Sequence, residues 1–123
     1  MIKVVCLGEW TKQLLQAFFP AGLLDYFEVV SFNTDTAEYV FDLREMNIAP
    51  AGYNKDSLES KGFYQEETIT DFPLRGKRCK YKVKRRRWLN KEDGSIIKRD
   101  WQLLEKGTRM TAEFATFLKG INR

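Results

Sequence analysis

Histidine is absent from this 123-residue chain, and cysteine occurs only twice, as Cys6 and Cys79. The first absence removes every Ser-His-Asp, Cys-His and histidine-based metal site. The second leaves too few thiolates for a four-cysteine zinc site within one chain. With no CxxC pair, the two cysteines suit a reducing compartment. No GxxxxGK[ST] or GxGxxG segment occurs, so nucleotide binding has no support in the sequence. No apolar run approaches the roughly 18 residues that span a bilayer. The opening MIKVVCLGEW has one lysine but no long hydrophobic region and no small-residue cleavage site, so no signal peptide is expected. These absences lead us to expect a soluble, cytoplasmic chain with no membrane partner, no metal and no cofactor.

What is present is a core and an uneven charge. Apolar residues make up 43% of the chain and aromatics 14%, enough for one packed domain over residues 1–123 and too much for disorder throughout. The net charge of +4 conceals a division. From Met1 to Leu74 there are 5 basic and 12 acidic residues, giving −7; from Arg75 to Arg123 there are 16 basic and 5 acidic, giving +11. Nine Lys or Arg fall among the thirteen positions from Arg75 to Arg87. Like charges packed this closely repel unless something negative lies against them. The division predicts an acidic half, 1–60, that stays in solvent and a basic half, 61–123, that meets a polyanion.

Along the chain, Glu9 to Phe19 reads as a helix, with Trp10, Leu14 and Phe18 on one stripe and Leu15 beside it, stopped by Pro20. FEVVSF and TAEYVFDLREM, joined by NTDT, read as a hairpin over 27–45. NIAPAGYNKDS is loop by composition. A second β unit is expected from about Gly62: FYQEETIT, a turn at DFPLRG, one long strand KRCKYKVKRRRWL, a KEDG turn, and SIIKRDWQLL returning. A last helix is expected from about Thr111, with Phe114, Phe117, Leu118 and Ile121 at helical spacing, Thr111 as N-cap and Glu113 in the first turn. The fold class is α+β: small antiparallel sheets or hairpins flanked by short N- and C-terminal helices.

The final hairpin decides which side chains share a face. A three-residue loop Glu92-Asp93-Gly94, with Gly94 left-handed, sets Lys91 opposite Ser95. One face then carries Tyr81, Val83, Leu89, Ile97, Trp101 and Leu103; the other carries Lys80, Lys82, Lys84, Arg86, Trp88, Lys98 and Gln102. A two-residue loop mixes apolar and charged residues on both faces. The candidate nucleic-acid-binding residues are Arg75, Lys77, Lys80, Lys82, Lys84, Arg85, Arg86, Arg87, Trp88, Lys98, Arg99 and Arg109, with Lys106 and the last helix extending the footprint. Lys and Arg in a row bind phosphates through charge and counterion release. Arg86 and Arg87 are the candidates for base contact, and Trp88 for stacking on an unpaired base. A solvated strand face is the plainer reading of the same charges. Asp100, opposite Arg86 in this register, is read as a cross-strand pair and not as a catalytic acid. Glu59-Ser60-Lys61 matches half of a nuclease metal motif, but no suitably placed Pro-Asp precedes it.

SKGFYQEETITDFPLRGKRCKYKVKRRRWL, followed by GTRMTAEFATFL, resembles the N-terminal, DNA-binding region of certain bacterial insertion-sequence transposases, over residues 60–120. In their zinc-ribbon branch a D-P-x-x-G turn and a strand of alternating basic and apolar residues precede an Arg-Arg-aromatic stretch. Here Asp71, Pro73 and Gly76 stand at the turn, Tyr81 and Val83 alternate, and Arg86, Arg87 and Trp88 follow. LLQAFFPAGLLDYFEV resembles the opening of a zinc-free subgroup. The cysteine knuckles are missing, so the resemblance implies a zinc-ribbon-like sheet held by packing among Trp88, Leu89, Ile97 and Trp101. It also implies no catalysis by this chain, because the three-carboxylate nuclease domain has no place in it. The expected partners are double-stranded DNA at the ends of a mobile element, a transposase catalytic domain on a separate segment, and a second copy of the chain as a homodimer. The alternatives are an RNA or single-strand binder using Trp88 and Tyr81, and an interaction module in which the acidic half of one copy meets the basic half of another.

Overall fold

A computed structural model describes residues 9–99 and 110–121. Its elements are α1 (Glu9–Phe18), a single-turn α2 (Leu23–Tyr26), β1 (Phe27–Thr34), β2 (Glu38–Glu45), β3 (Leu58–Phe63), β4 (Glu67–Leu74), β5 (Lys77–Lys84), β6 (Arg86–Asn90), β7 (Ile96–Ile97) and α3 (Ala112–Ile121). A 3-10 turn at Lys55–Ser57 interrupts the loop expected from composition. The strands form a four-stranded sheet in the order β1-β2-β5-β4 and a three-stranded sheet in the order β3-β6-β7. The α+β class and the two flanking helices agree with the sequence reading.

The β1–β2 hairpin forms where NTDT predicts it. The Asp35 carboxylate accepts the N–H groups of Ala37 at 2.7 Å and Glu38 at 2.9 Å, which closes the turn. Those two bonds favour the charged form and hold the carboxyl below its ordinary range. Residues 58–90 then form one long antiparallel excursion that is bent across both sheets. Its first arm has a register shift between Ser60 and Phe63 and another between Asp71 and Leu74, each adding length against the partner arm. Extra residues on one arm bend and twist a ribbon. Gly62, at φ 79°, supplies the left-handed residue that the first bulge needs.

Three details differ from expectation. The β4–β5 turn is not DFPLRG but Arg75-Gly76 alone, at φ 55° and 77°, the left-handed pair of a type I′ turn. Pro73 lies within β4, which tolerates it as an edge strand. The basic stretch is not one strand: it breaks at Arg85, whose carbonyl accepts the N–H of Tyr64 at 2.8 Å, and β5 and β6 belong to different sheets. The four-stranded sheet is also not wholly antiparallel, since β2 runs parallel to β5 with Val40 opposite Lys80 and Asp42 opposite Lys82. The acidic and basic halves are therefore neighbours in one sheet.

The core lies on one side of that sheet. Phe19, Leu23, Phe27, Leu43, Ile69, Cys79, Tyr81 and Val83 are buried, with Leu15 and Phe41 packed against them. Thr111 is the N-cap of α3, its hydroxyl accepting the Phe114 N–H at 3.3 Å. The helix is fixed to the β4 edge by the Thr111 N–H on the Thr70 carbonyl and by Phe72 against Phe114. A carboxylate is buried at this junction. Asp71 accepts the Tyr81 hydroxyl at 2.6 Å on one oxygen and the Thr111 hydroxyl at 2.8 Å on the other. Burial pushes the Tyr81 phenol far above its ordinary range, and the bond to Asp71 adds to that. Burial likewise raises the Cys79 thiol. No helix among the described residues is long and apolar enough to cross a membrane.

Candidate nucleic-acid interface

Alternation along β5 divides its side chains cleanly: Cys79, Tyr81 and Val83 are buried, while Arg78, Lys82 and Lys84 are exposed and Lys80 is half-buried. The outer face of the four-stranded sheet therefore carries a row of cations on a central strand. In register beside it stand Glu38, Val40, Asp42 and Arg44 of β2, and Thr68 and Thr70 of β4. Lys80 meets Glu38 at 3.1 Å, and Arg44 meets Glu28 of β1 at 2.6 Å. The side chains of Lys82 and Lys84 form no ion pair or hydrogen bond with the described residues. They line a shallow concavity of about 310 Å³ with Val30, Ser31, Asp42, Leu43, Arg44 and Glu66. Asp42 is held there by the Ser31 hydroxyl.

The arginines beyond the break have a different setting. Glu45, at the end of β2, is 1% exposed. One of its oxygens accepts the Arg86 backbone N–H at 3.1 Å; the other accepts Arg99 Nε at 3.3 Å and Trp88 Nε1 at 3.4 Å. Arg86 returns its own Nε to the Glu45 carbonyl at 2.9 Å and its Nη1 to Ser60 Oγ at 2.8 Å. The Arg86 guanidinium lies over the Phe63 ring and that of Arg99 over Tyr26. Arg99 also donates to the Ile48 carbonyl, and Arg85 to the Arg99 carbonyl. This clasp ties the end of β2 to β6 and so joins the two sheets.

Trp88 is 2% exposed and not on the charged face, because the break at Arg85 takes it out of the β5 alternation and into the second sheet. The last hairpin pairs Trp88 with Ile97 and Leu89 with Ile96, and the Asn90 N–H bonds the Ser95 carbonyl. Its loop is Lys91–Gly94, one residue longer at its start than expected. Side chains of Asn90 and Asp93 fix it by accepting the N–H groups of Glu92 and Ser95. Gly94 is left-handed as predicted, at φ 76°. The shift sets Ile97, and not Lys98, beside Trp88, with Leu89 on the opposite face of β6. The Asp93 carboxyl is lowered by its bonds to Ser95.

The remaining candidates are dispersed. Arg75 is exposed in its turn. Lys77 donates to Thr34 Oγ1 at 2.6 Å and lies over the Tyr39 ring. Arg87 is exposed on the face of β6 opposite Trp88, its guanidinium 5.7 Å from the Tyr64 ring. Lys98 lies over the same ring, 4.0 Å from Glu67. Arg109, together with Asp100, Trp101, Leu103 and Lys106, lies outside the described residues. Lys61 pairs with Glu59 at 3.3 Å, and no group of three or more Cys, Asp or Glu that could hold a metal occurs among the described residues. The sequence reading missed Glu45. The signal was there: in FDLRE the carboxylate is in phase with Leu43, the inward position of the strand. No family model, no curated protein and no solved structure matches the chain.

Proposed function

We propose that this chain is a non-catalytic nucleic-acid-binding module that holds duplex DNA by its phosphates along the outer face of β5. The observation that carries the reading is the pair Lys82 and Lys84, exposed, in line with Lys80, and without an ion pair to any described residue. Lysines at i and i+2 of a strand project on one side at intervals of about 6.6 Å. Such a row binds phosphate by charge and counterion release and reads little sequence. Arg86 and Arg99 are committed to Glu45, so base reading passes to exposed residues such as Arg75, Arg78 and Arg87.

The finer form of the proposal is the DNA-binding part of an insertion-sequence transposase, presenting element ends to a nuclease domain carried elsewhere. The resemblance over residues 60–120 supports it. Duplex is favoured over single strands because Trp88 and Tyr81, which would have to stack on bases, are both buried. Pairing between the acidic half of one copy and the basic half of another is disfavoured, because Glu38 already meets Lys80 within the chain.

The test is fluorescence anisotropy with random duplex, single-stranded DNA and RNA over a range of salt, using the native chain and Lys82→Ala/Lys84→Ala. Duplex binding that weakens steeply with salt is expected. The double substitution should lower the slope of log affinity against log salt by about 2. Absence of binding to all three at low salt, or an unchanged slope in the variant, rejects the proposal.

A further inference from the structure

The four-stranded sheet ends in β1 on one side and β4 on the other. The β4 edge is guarded. Pro73 removes one donor, and Met110 and Thr111 lie against Thr70, bridging at Met110 and bonding at the Thr111 N–H. Among the described residues nothing pairs with the outer edge of β1, and seven of its eight residues are exposed. It carries no proline and no lysine; of the usual protections of an open edge it has only the bulge between Val29 and Ser31. Val29, Val30 and Phe32 are 40%, 53% and 49% exposed. Apolar side chains on an unpaired strand fit another strand, whose backbone would satisfy the open N–H and C=O groups.

We infer that β1 is a self-association edge, on which a second copy of this chain pairs its own β1 antiparallel to the first. Charge and closure both point to a second copy. The only ionic side chain in β1 is Glu28, already neutralised by Arg44 at 2.6 Å. With Val29 set opposite Phe32 of the second copy, Glu28 lies opposite Asn33 of that copy, and no like charges meet. A two-fold arrangement consumes both open edges at once. The guarded β4 edges then leave this sheet closed as a dimer. Opposed side chains in an antiparallel pair point the same way, so the outer faces of both copies lie on one side. Their β5 rows then stand five strand spacings apart, about 24 Å at about 4.8 Å each. That spacing bears on the nucleic-acid reading, but the dimer does not rest on it.

The experiment is sedimentation velocity from micromolar to millimolar protein without nucleic acid, with the native chain and Val29→Lys. Hydrogen exchange of the native chain at both ends of that range accompanies it. A native dimer, a monomeric Val29→Lys with an unchanged circular dichroism spectrum, and protection of amides 28–34 that rises with concentration are expected. A native chain that stays monomeric overturns the inference. So does a dimer whose 28–34 amides exchange at the same rate at both concentrations, or a folded Val29→Lys that dimerises as well as the native chain. Should Val29→Lys fail to fold, the exchange measurement on the native chain decides alone.

Discussion

The basic run from Arg75 to Arg87 has two fates on either side of Arg85. Before it, Lys80, Lys82 and Lys84 alternate with buried Cys79, Tyr81 and Val83; Lys80 meets the half-buried Glu38, and Lys82 and Lys84 are exposed. After it, Arg86, joined by Arg99 from beyond the last hairpin, turns inward onto Glu45, and Trp88 completes the clasp. The two regions differ in burial more than in charge. A lysine is a compact point charge that remains hydrated, whereas the planar guanidinium can satisfy several acceptors and stack on a ring while half-buried. Within this run Lys80, Lys82 and Lys84 stay with Arg78 on the open sheet face, while Arg86 is taken into the seam between the sheets.

The clasp should be the most fragile point. Glu45→Ala leaves the Arg99 guanidinium, the Trp88 indole N–H and the Arg86 backbone N–H without their carboxylate, and removing one member of a buried pair costs about 3–5 kcal/mol. Urea unfolding should show this as a lower midpoint at an unchanged slope. An effect as small as that of an exposed pair would refute the clasp as the joint between the sheets.

On the inner side of β5, Tyr81→Phe leaves one Asp71 oxygen without its donor. An unsatisfied buried acceptor costs about 1–3 kcal/mol, to be read in the same unfolding experiment. Because the Lys82 and Lys84 side of the strand is untouched, DNA affinity per folded molecule should not change. Arg86→Lys sharpens the contrast further. It keeps the charge but loses the fork that reaches both the Glu45 carbonyl and Ser60. A loss of about 1–2 kcal/mol is expected with no change in the salt dependence of DNA binding. Arg86→Ala, which removes the charge as well, should also leave the slope unchanged; a slope lowered by about 1 in that variant would mean that Arg86 leaves the clasp to meet phosphate.

Much of this was legible in the sequence, for identifiable reasons. Helix α1, the 27–45 hairpin and the Thr111 cap rest on local spacing, which survives tertiary context, although α1 meets the core through Leu15 while Leu14 and Phe18 of the expected stripe are exposed. The lysine face was also legible, because alternation of Lys80, Lys82 and Lys84 with Tyr81 and Val83 is a strand signal whatever its neighbours. The break at Arg85 was not. It depends on Tyr64 donating across the bend and on Gly62 lengthening the opposite arm, both remote in sequence. Register at the last hairpin turned on how Asn90 and Asp93 bond the loop backbone, and a slip of one residue set Lys98 where Ile97 stands beside Trp88. The pairing of β2 with β5 is parallel and non-local. Separate charge totals for the two halves could not reveal that Asp42 stands beside Lys82.

That last neighbour gives the smallest and most discriminating prediction. Asp42 lies in register with Lys82, and its carboxylate repels any phosphate brought to the lysine row while attracting the same ammonium group. Asp42→Asn keeps the acceptor for the Ser31 hydroxyl and removes the charge. Folding stability should move by no more than about 0.5 kcal/mol, as for other exposed substitutions. Duplex affinity at low salt should rise a few-fold, and the gain should shrink as the screening length falls from about 10 Å at 0.1 M toward about 3 Å at 1 M. A solvated face with no ligand predicts no affinity to raise, and a lysine row whose role is to neutralise β2 predicts lost stability instead. The sign of the two changes, measured by anisotropy and by urea unfolding, separates a row poised for phosphate from one that merely balances its neighbouring strand.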